Sequence, residues 1–138
     1  MADQLTPKQI AELENWEQRW PDEHKGFLLE ARSYAEQNLD TKLMFGGVDA
    51  PDGAALVYPA AQRQDGSWCR EFIGTSRTVA GVSVLIEGEQ YPDGSVKRVL
   101  TISVDDLPMS RGGGLSVDEA RQLAAQLVQA AAELDRLQ

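Results

Sequence analysis

The residues best equipped for chemistry are few and stand apart. The single histidine, His24, lies in Asp22-Glu23-His24-Lys25, where acidic neighbours would suit a general base. No serine sits in a nucleophile-elbow pattern to be served by it, and a charge-flanked histidine between two helices reads as solvated. The single cysteine, Cys69, lies in Ser67-Trp68-Cys69-Arg70-Glu71. A nearby cation lowers a thiol's pKa, but on a strand Cys69 and Arg70 point to opposite faces, so this thiol reads as buried and structural. One His and one Cys exclude an internal disulfide framework, a Cys-based zinc site and any site that needs two imidazoles. Asp105-Asp106, with Asp93 or Asp52, offers oxygen ligands for Mg²⁺ or Ca²⁺ but lacks calcium-loop spacing. Arg111-Gly112-Gly113-Gly114 has the glycines of a phosphate loop without its Gly-Lys-Ser/Thr ending, and reads as a connection. The sequence therefore assigns no catalytic residue, no cofactor and no metal.

What remains is binding. Trp16, Trp20 and Phe27 are large aromatics on short amphipathic helices, which either fill a core or anchor an interface. Glu12, Glu14, Glu17 and Arg19 rim the indoles, the arrangement of an aromatic anchor with orienting charges. These residues, Trp16, Trp20, Glu12, Glu17 and Phe27, are the candidate partner-binding set. The net charge of −9 argues against nucleic acid, because affinity for phosphate backbones comes from Lys and Arg displacing counterions. Nine acids against four bases fall in residues 1–40, so the acidity concentrates on the N-terminal helices. The basic residues that a sheet could assemble are Arg63, Arg70, Arg77, Lys97 and Arg98, and they read as internal counter-charge to the helices rather than as a nucleic-acid site.

The elements that would position these side chains are legible from local signals. Thr6, Pro7 and Gln9 form a capping box with proline at the first helical position, and Leu5 with Ile10 completes a hydrophobic staple. Ile10, Leu13, Trp16 and Trp20 then recur at helical spacing until Pro21 stops the pattern. A second helix begins at Asp22 or Glu23, carries Phe27, Leu28, Ala31, Tyr34, Ala35 and Leu39 on one stripe, and stops at Asn38 and Asp40. From Lys42 the period becomes two. Pro51-Asp52-Gly53, Asp65-Gly66 and Pro92-Asp93-Gly94 mark turns between strands over residues 42–45, 54–58, 67–73, 79–87 and 96–104. Val82, Val84 and Ile86 form one apolar face, and Arg98, Leu100, Ile102 and Val104 alternate likewise. Ser116 and Glu119 make a second capping box. Ala120, Leu123, Leu127, Ala130, Leu134 and Leu137 then follow at intervals of three and four, a heptad seam that Ala124, Val128 and Ala131 widen. Packing across the chain's own sheet is the favoured use of this helix, with a homodimer through the C-terminal helix as the other.

At 138 residues, 42% apolar and 25% charged, the chain has the composition of one globular domain, residues 1–138. The expected fold is α+β. Helical residues 1–40 and a long helix over 116–138 pack on one face of an antiparallel meander of about five strands, residues 41–105. The N-terminus lacks a secretory n-region and h-region, and no apolar run reaches the ~18 residues that span a bilayer. A cytoplasmic protein is expected.

Residues 113–137, Gly-Gly-Leu-Ser-Val-Asp-Glu-Ala-Arg through the alanine-rich helix to Glu-Leu-Asp-Arg-Leu, with the preceding hairpin of residues 79–104, resemble a module of small actinobacterial and mycobacteriophage proteins. The resemblance implies a host range and a phage or prophage origin, and carries no catalytic residue. The functional expectation is a non-enzymatic acidic interaction or regulatory protein acting on a host or phage protein. A ligand-binding protein or enzyme using Asp, Glu and Arg in a sheet–helix cleft is the alternative, and a structural or self-assembling phage component is a third.

Overall fold

The computed structural model describes residues 5–104 and 114–138. The chain runs α1 (Pro7–Arg19), α2 (His24–Phe45), β1 (Leu56–Val57), β2 (Ala61–Gln62), β3 (Trp68–Val79), β4 (Val82–Gln90), β5 (Val96–Val104) and α3 (Val117–Leu137). The fold is α+β, with all strand pairs antiparallel and β3–β4–β5 forming a meander. β1 pairs with Phe72 and Ile73 of β3, and β2 with Trp68 and Cys69. Two compact units share the chain: the described residues up to Val48 with Pro59–Cys69, and Asp49–Tyr58 with Arg70–Gln138 apart from residues 105–113.

In the first unit, α1 starts as its capping box dictates. The Gln9 N–H donates to Thr6 Oγ1 at 3.2 Å and the Thr6 N–H to Gln9 Oε1 at 2.9 Å. Gln9 is then drawn into a reciprocal amide pair with Asn38 across the two helices, at 3.1 and 2.7 Å. α2 runs past both Asn38 and Asp40, so neither is a stop. The Asn38 amide is engaged with Gln9 of the neighbouring helix, α2 continues to Phe45, and the strand expected over residues 42–45 is helix. Thr41 Oγ1 donates to the Gln37 carbonyl at 2.7 Å and accepts the Ala60 N–H at 2.8 Å, holding α2 to the segment that leads into β2. Phe27, Ala31, Tyr34 and Phe45 lie on the less exposed side of α2. Leu28 and Leu39, expected on that stripe, are exposed.

In the second unit, the expected strand over residues 54–58 shrinks to Leu56–Val57, and β3 continues through a bulge between Ile73 and Ser76 to Val79. The chain reverses at Ala80-Gly81, with φ of 49° and 82°. Positive φ at both central residues is the primed hairpin turn whose twist matches its strands, and Ala-Gly lacks the Asn-Gly or Asp-Gly signature that announces one. β4 therefore begins at Val82 rather than Val79. The turn at residues 92–94 and the bounds of β5 agree with expectation. Asp93 Oδ1 accepts both the N–H and the hydroxyl of Ser95, at 2.8 and 2.6 Å, and Asp65 does the same for Ser67 in the first unit.

α3 packs on β4 and β5. Its side of the sheet is identified by register and bonding: Arg77 pairs with Val84 and reaches Glu133, while Arg98 pairs with Gly88 and reaches the Leu137 carbonyl. Val84, Ile86 and Ala130 are at most 1% exposed there. Ile102 and Val104 share that face by register but remain more than half exposed, so the apolar alternation of β5 is covered only in part. The seam of α3 is also narrower and shorter than expected, because Ala124, Val128 and Ala131 and the first seam residue, Ala120, face solvent while Leu123, Leu127, Ala130, Leu134 and Leu137 are shielded.

Candidate functional site

Four-residue spacing on α1 stacks Glu12, Trp16 and Trp20 into one ridge, beside a second ridge of Asn15 and Arg19. These five residues line a shallow groove of about 250 Å³. The two indoles have separated roles. Trp16 is half-buried, and a Cβ placed on Gly26 would stand 3.2 Å from its Cζ2, so the bare backbone of α2's first turn is what lets the ring come this close. The Trp16 Nε1–H is shielded from solvent and meets no acceptor among the described residues. Trp20, at the C-cap of α1, is 55% exposed.

The carboxylate of Glu12 accepts the Tyr34 hydroxyl at 2.9 Å and so ties the groove to α2. Burial first, and then Glu12 as acceptor and as negative charge, push Tyr34 up to about 12. Of the candidate set, Glu12, Trp16 and Trp20 come together. Phe27 is half-buried on α2, and Glu17 is exposed on α1; neither lines the groove. Asn15 is the residue that sequence reasoning missed, although its i,i+4 relation to Arg19 was a signal for it.

A second concavity, about 460 Å³, lies on the face of the second unit's sheet turned away from α3, where Tyr58, Glu71, Ile73, Glu87, Glu89, Lys97 and Val99 are among its lining. Register places Glu71 opposite Glu89 and Ile73 opposite Glu87, so three carboxylates share one apolar patch. Glu87 accepts the Thr101 hydroxyl at 2.8 Å and Glu89 the Tyr91 hydroxyl at 2.9 Å. Lys97 Nζ stands 5.6 Å from the centre of the Tyr91 ring.

Arg63, Arg70, Arg77 and Arg98 are engaged one by one within their own units. Arg77 pairs with Glu133 at 2.6 Å, and Thr75 Oγ1 donates to the same carboxylate at 2.9 Å. Bonding to Arg77 holds Glu133 below the usual carboxylate range, with Thr75 assisting. Arg98 donates to the Leu137 carbonyl at 2.9 Å, where a cation also meets the negative end of the α3 dipole. Arg70 is buried beneath its own strand network: its Nε–H donates to Gln90 Oε1 at 2.8 Å, while Arg70 and the Gln90 amide both donate to the Asp49 carbonyl. Burial alone pulls this guanidinium below its ordinary value. Arg63 Nε–H points to Cys69 Sγ at 3.5 Å, and the thiol is 5% exposed.

His24 is exposed in the first turn of α2. Among the described residues no group of three or more His, Cys, Asp or Glu side chains is placed to hold a metal ion, while Asp105-Asp106 and Arg111-Gly112-Gly113 lie outside them. No helix among the described residues is long and apolar enough to cross a membrane. Compared with known proteins, the chain matches no family model, no curated protein and no solved structure.

Proposed function

We propose that this chain is a non-enzymatic recognition protein that engages a protein partner through the end of α1, with Trp20 as the anchor. The exposure of Trp20 beside a groove whose other indole is already packed carries this reading. A large aromatic left more than half in water at the rim of a concavity has apolar area to bury on binding, and Arg19 and Glu12 flank it with charges of both signs to set orientation. The phage origin implied by the likeness of residues 79–137 to actinobacterial and mycobacteriophage proteins would make that partner a host protein.

The two tryptophans separate binding from folding. Trp20→Ala should melt nearly like the parent and lose about thirty-fold or more in affinity, the equivalent of about 2 kcal/mol at an anchor. Trp16→Ala should lower stability, because it empties the space against Gly26. A co-purification from mycobacterial lysate with both baits, followed by titration of the captured partner, reads the difference. Capture by Trp20→Ala at parental affinity would overturn the proposal.

The groove of the open sheet face favours a second reading, a small-ligand site. Its acids and Tyr58 lie away from α3, whereas the acid and arginine between α3 and the sheet, Glu133 and Arg77, are engaged with each other. Stabilisation by a small cationic compound, lost in Glu71→Gln/Glu89→Gln, would support it over a protein partner.

A further inference from the structure

The helix α2 is apolar on two sides, and among the described residues one of them is shielded while the other stands exposed. Phe27, Ala31, Tyr34 and Phe45 are shielded, whereas Leu28, Leu29, Leu39 and Leu43 stand 60, 66, 53 and 69% exposed. The exposed stripe has a register. Lys25, Leu29, Arg32, Glu36, Leu39 and Leu43 follow one another at intervals of four, three, four, three and four, the a/d pattern of a two-helix seam, with Leu28 flanking it. It occupies about 27 Å of a single uninterrupted helix.

The charges in the seam say what covers it. Within the seam itself the N-terminal half carries Lys25 and Arg32 and the C-terminal half Glu36, while Asp40 and Lys42 flank the C-terminal half with opposite signs. A parallel partner of the same sequence would set Arg32 against Arg32 and Glu36 against Glu36. An antiparallel partner, in the register where a positions meet d positions, sets Leu29 against Leu39, Arg32 against Glu36 and the stem of Lys25 over Leu43. A two-fold axis repeats each of these layers. The stripe is thus complementary to itself in one orientation only.

We infer that the chain forms a two-fold symmetric homodimer through the exposed face of α2, with the two helices antiparallel and crossing level with residue 34. The dimer is closed, because an isologous contact uses the same patch on both copies. This assignment concerns a surface distinct from the Trp20 groove and does not depend on it.

Sedimentation equilibrium and light scattering over a concentration series test it on the full chain, whose monomer mass is 15.1 kDa. A mass rising to twice that value is expected. Leu39→Lys, at an exposed position where far-UV circular dichroism should show the fold retained, is expected to leave a monomer. Arg32→Glu alone puts glutamate against glutamate in two layers and should weaken association about tenfold or more, and Arg32→Glu/Glu36→Arg should restore it. A parallel dimer would respond to neither swap, since like charges already face each other. A parent that stays monomeric throughout, a dimer that ignores both Leu39→Lys and the charge swaps, or one lost instead on Val128→Lys in α3, would overturn the assignment.

Discussion

Replacing Glu133 by Gln keeps the shape of the side chain and removes the charge that holds Arg77 and Thr75 against α3. The Arg77–Glu133 contact is 2.6 Å, with the side chains 23 and 14% exposed. A fully exposed pair would contribute about 0–1 kcal/mol, and a hydrogen bond to a charged group shielded from water about 1.5–3 kcal/mol. The partial exposure of both ends places Glu133→Gln between these, at about 1.2 kcal/mol at neutral pH, or about 4 °C in melting temperature for a chain of this size. The pH dependence is the sharper test. Because Glu133 is held below its ordinary value of 4.5, its contribution is complete above that value and is lost as the pH falls through the lowered one. Parent and variant should differ at neutral pH and converge in acid. Urea unfolding followed by far-UV circular dichroism at a series of pH values measures this. A difference that stays constant from about pH 7 to about pH 2.5 would refute the charge argument and leave only packing.

Two further outcomes follow from the geometry. Tyr34 keeps its proton to about 12 in the folded chain, against an ordinary value of 10, so the α1–α2 pair should lose stability as the pH rises between those values, and Tyr34→Phe should flatten that loss in alkaline melts. Gly88→Ala would drive a Cβ into the Lys97 carbonyl of the adjoining strand; because backbone cannot step aside as a side chain can, about 1–3 kcal/mol of destabilisation is expected in thermal melts, and an unchanged melting temperature would contradict the β4–β5 register.

What was legible in the sequence was what short-range chemistry decides. Thr6 with Gln9 and Ser116 with Glu119 start their helices because each box closes within one turn, and the Asp93-Gly94-Ser95 turn closes within three residues. Strand β5 and the α3 seam were visible because a single period runs unbroken through each. The candidate site was half legible: spacing showed that Trp16 and Trp20 share a ridge, but which of them faces water depended on Gly26 from another helix.

The remaining features turn on partners distant in the chain. Asn38 and Asp40 read as stops, yet α2 runs past both to Phe45, with the Asn38 amide engaged by Gln9. Ala80-Gly81 carries no turn signature; the pairing of Arg77 with Val84 and Val79 with Val82 forces the reversal there. The clearest case is α2. Its leucines and aromatics wrap around the helix, so periodicity alone does not say which side is buried and groups Leu28 and Leu39 with Phe27 and Tyr34, although both leucines are exposed. Capping and turn formation are settled by neighbours a few residues away, and are readable from the chain before it folds. Which apolar surface is covered, and which is left for another molecule, is settled by the elements that pack against it, and no local signal reports their approach.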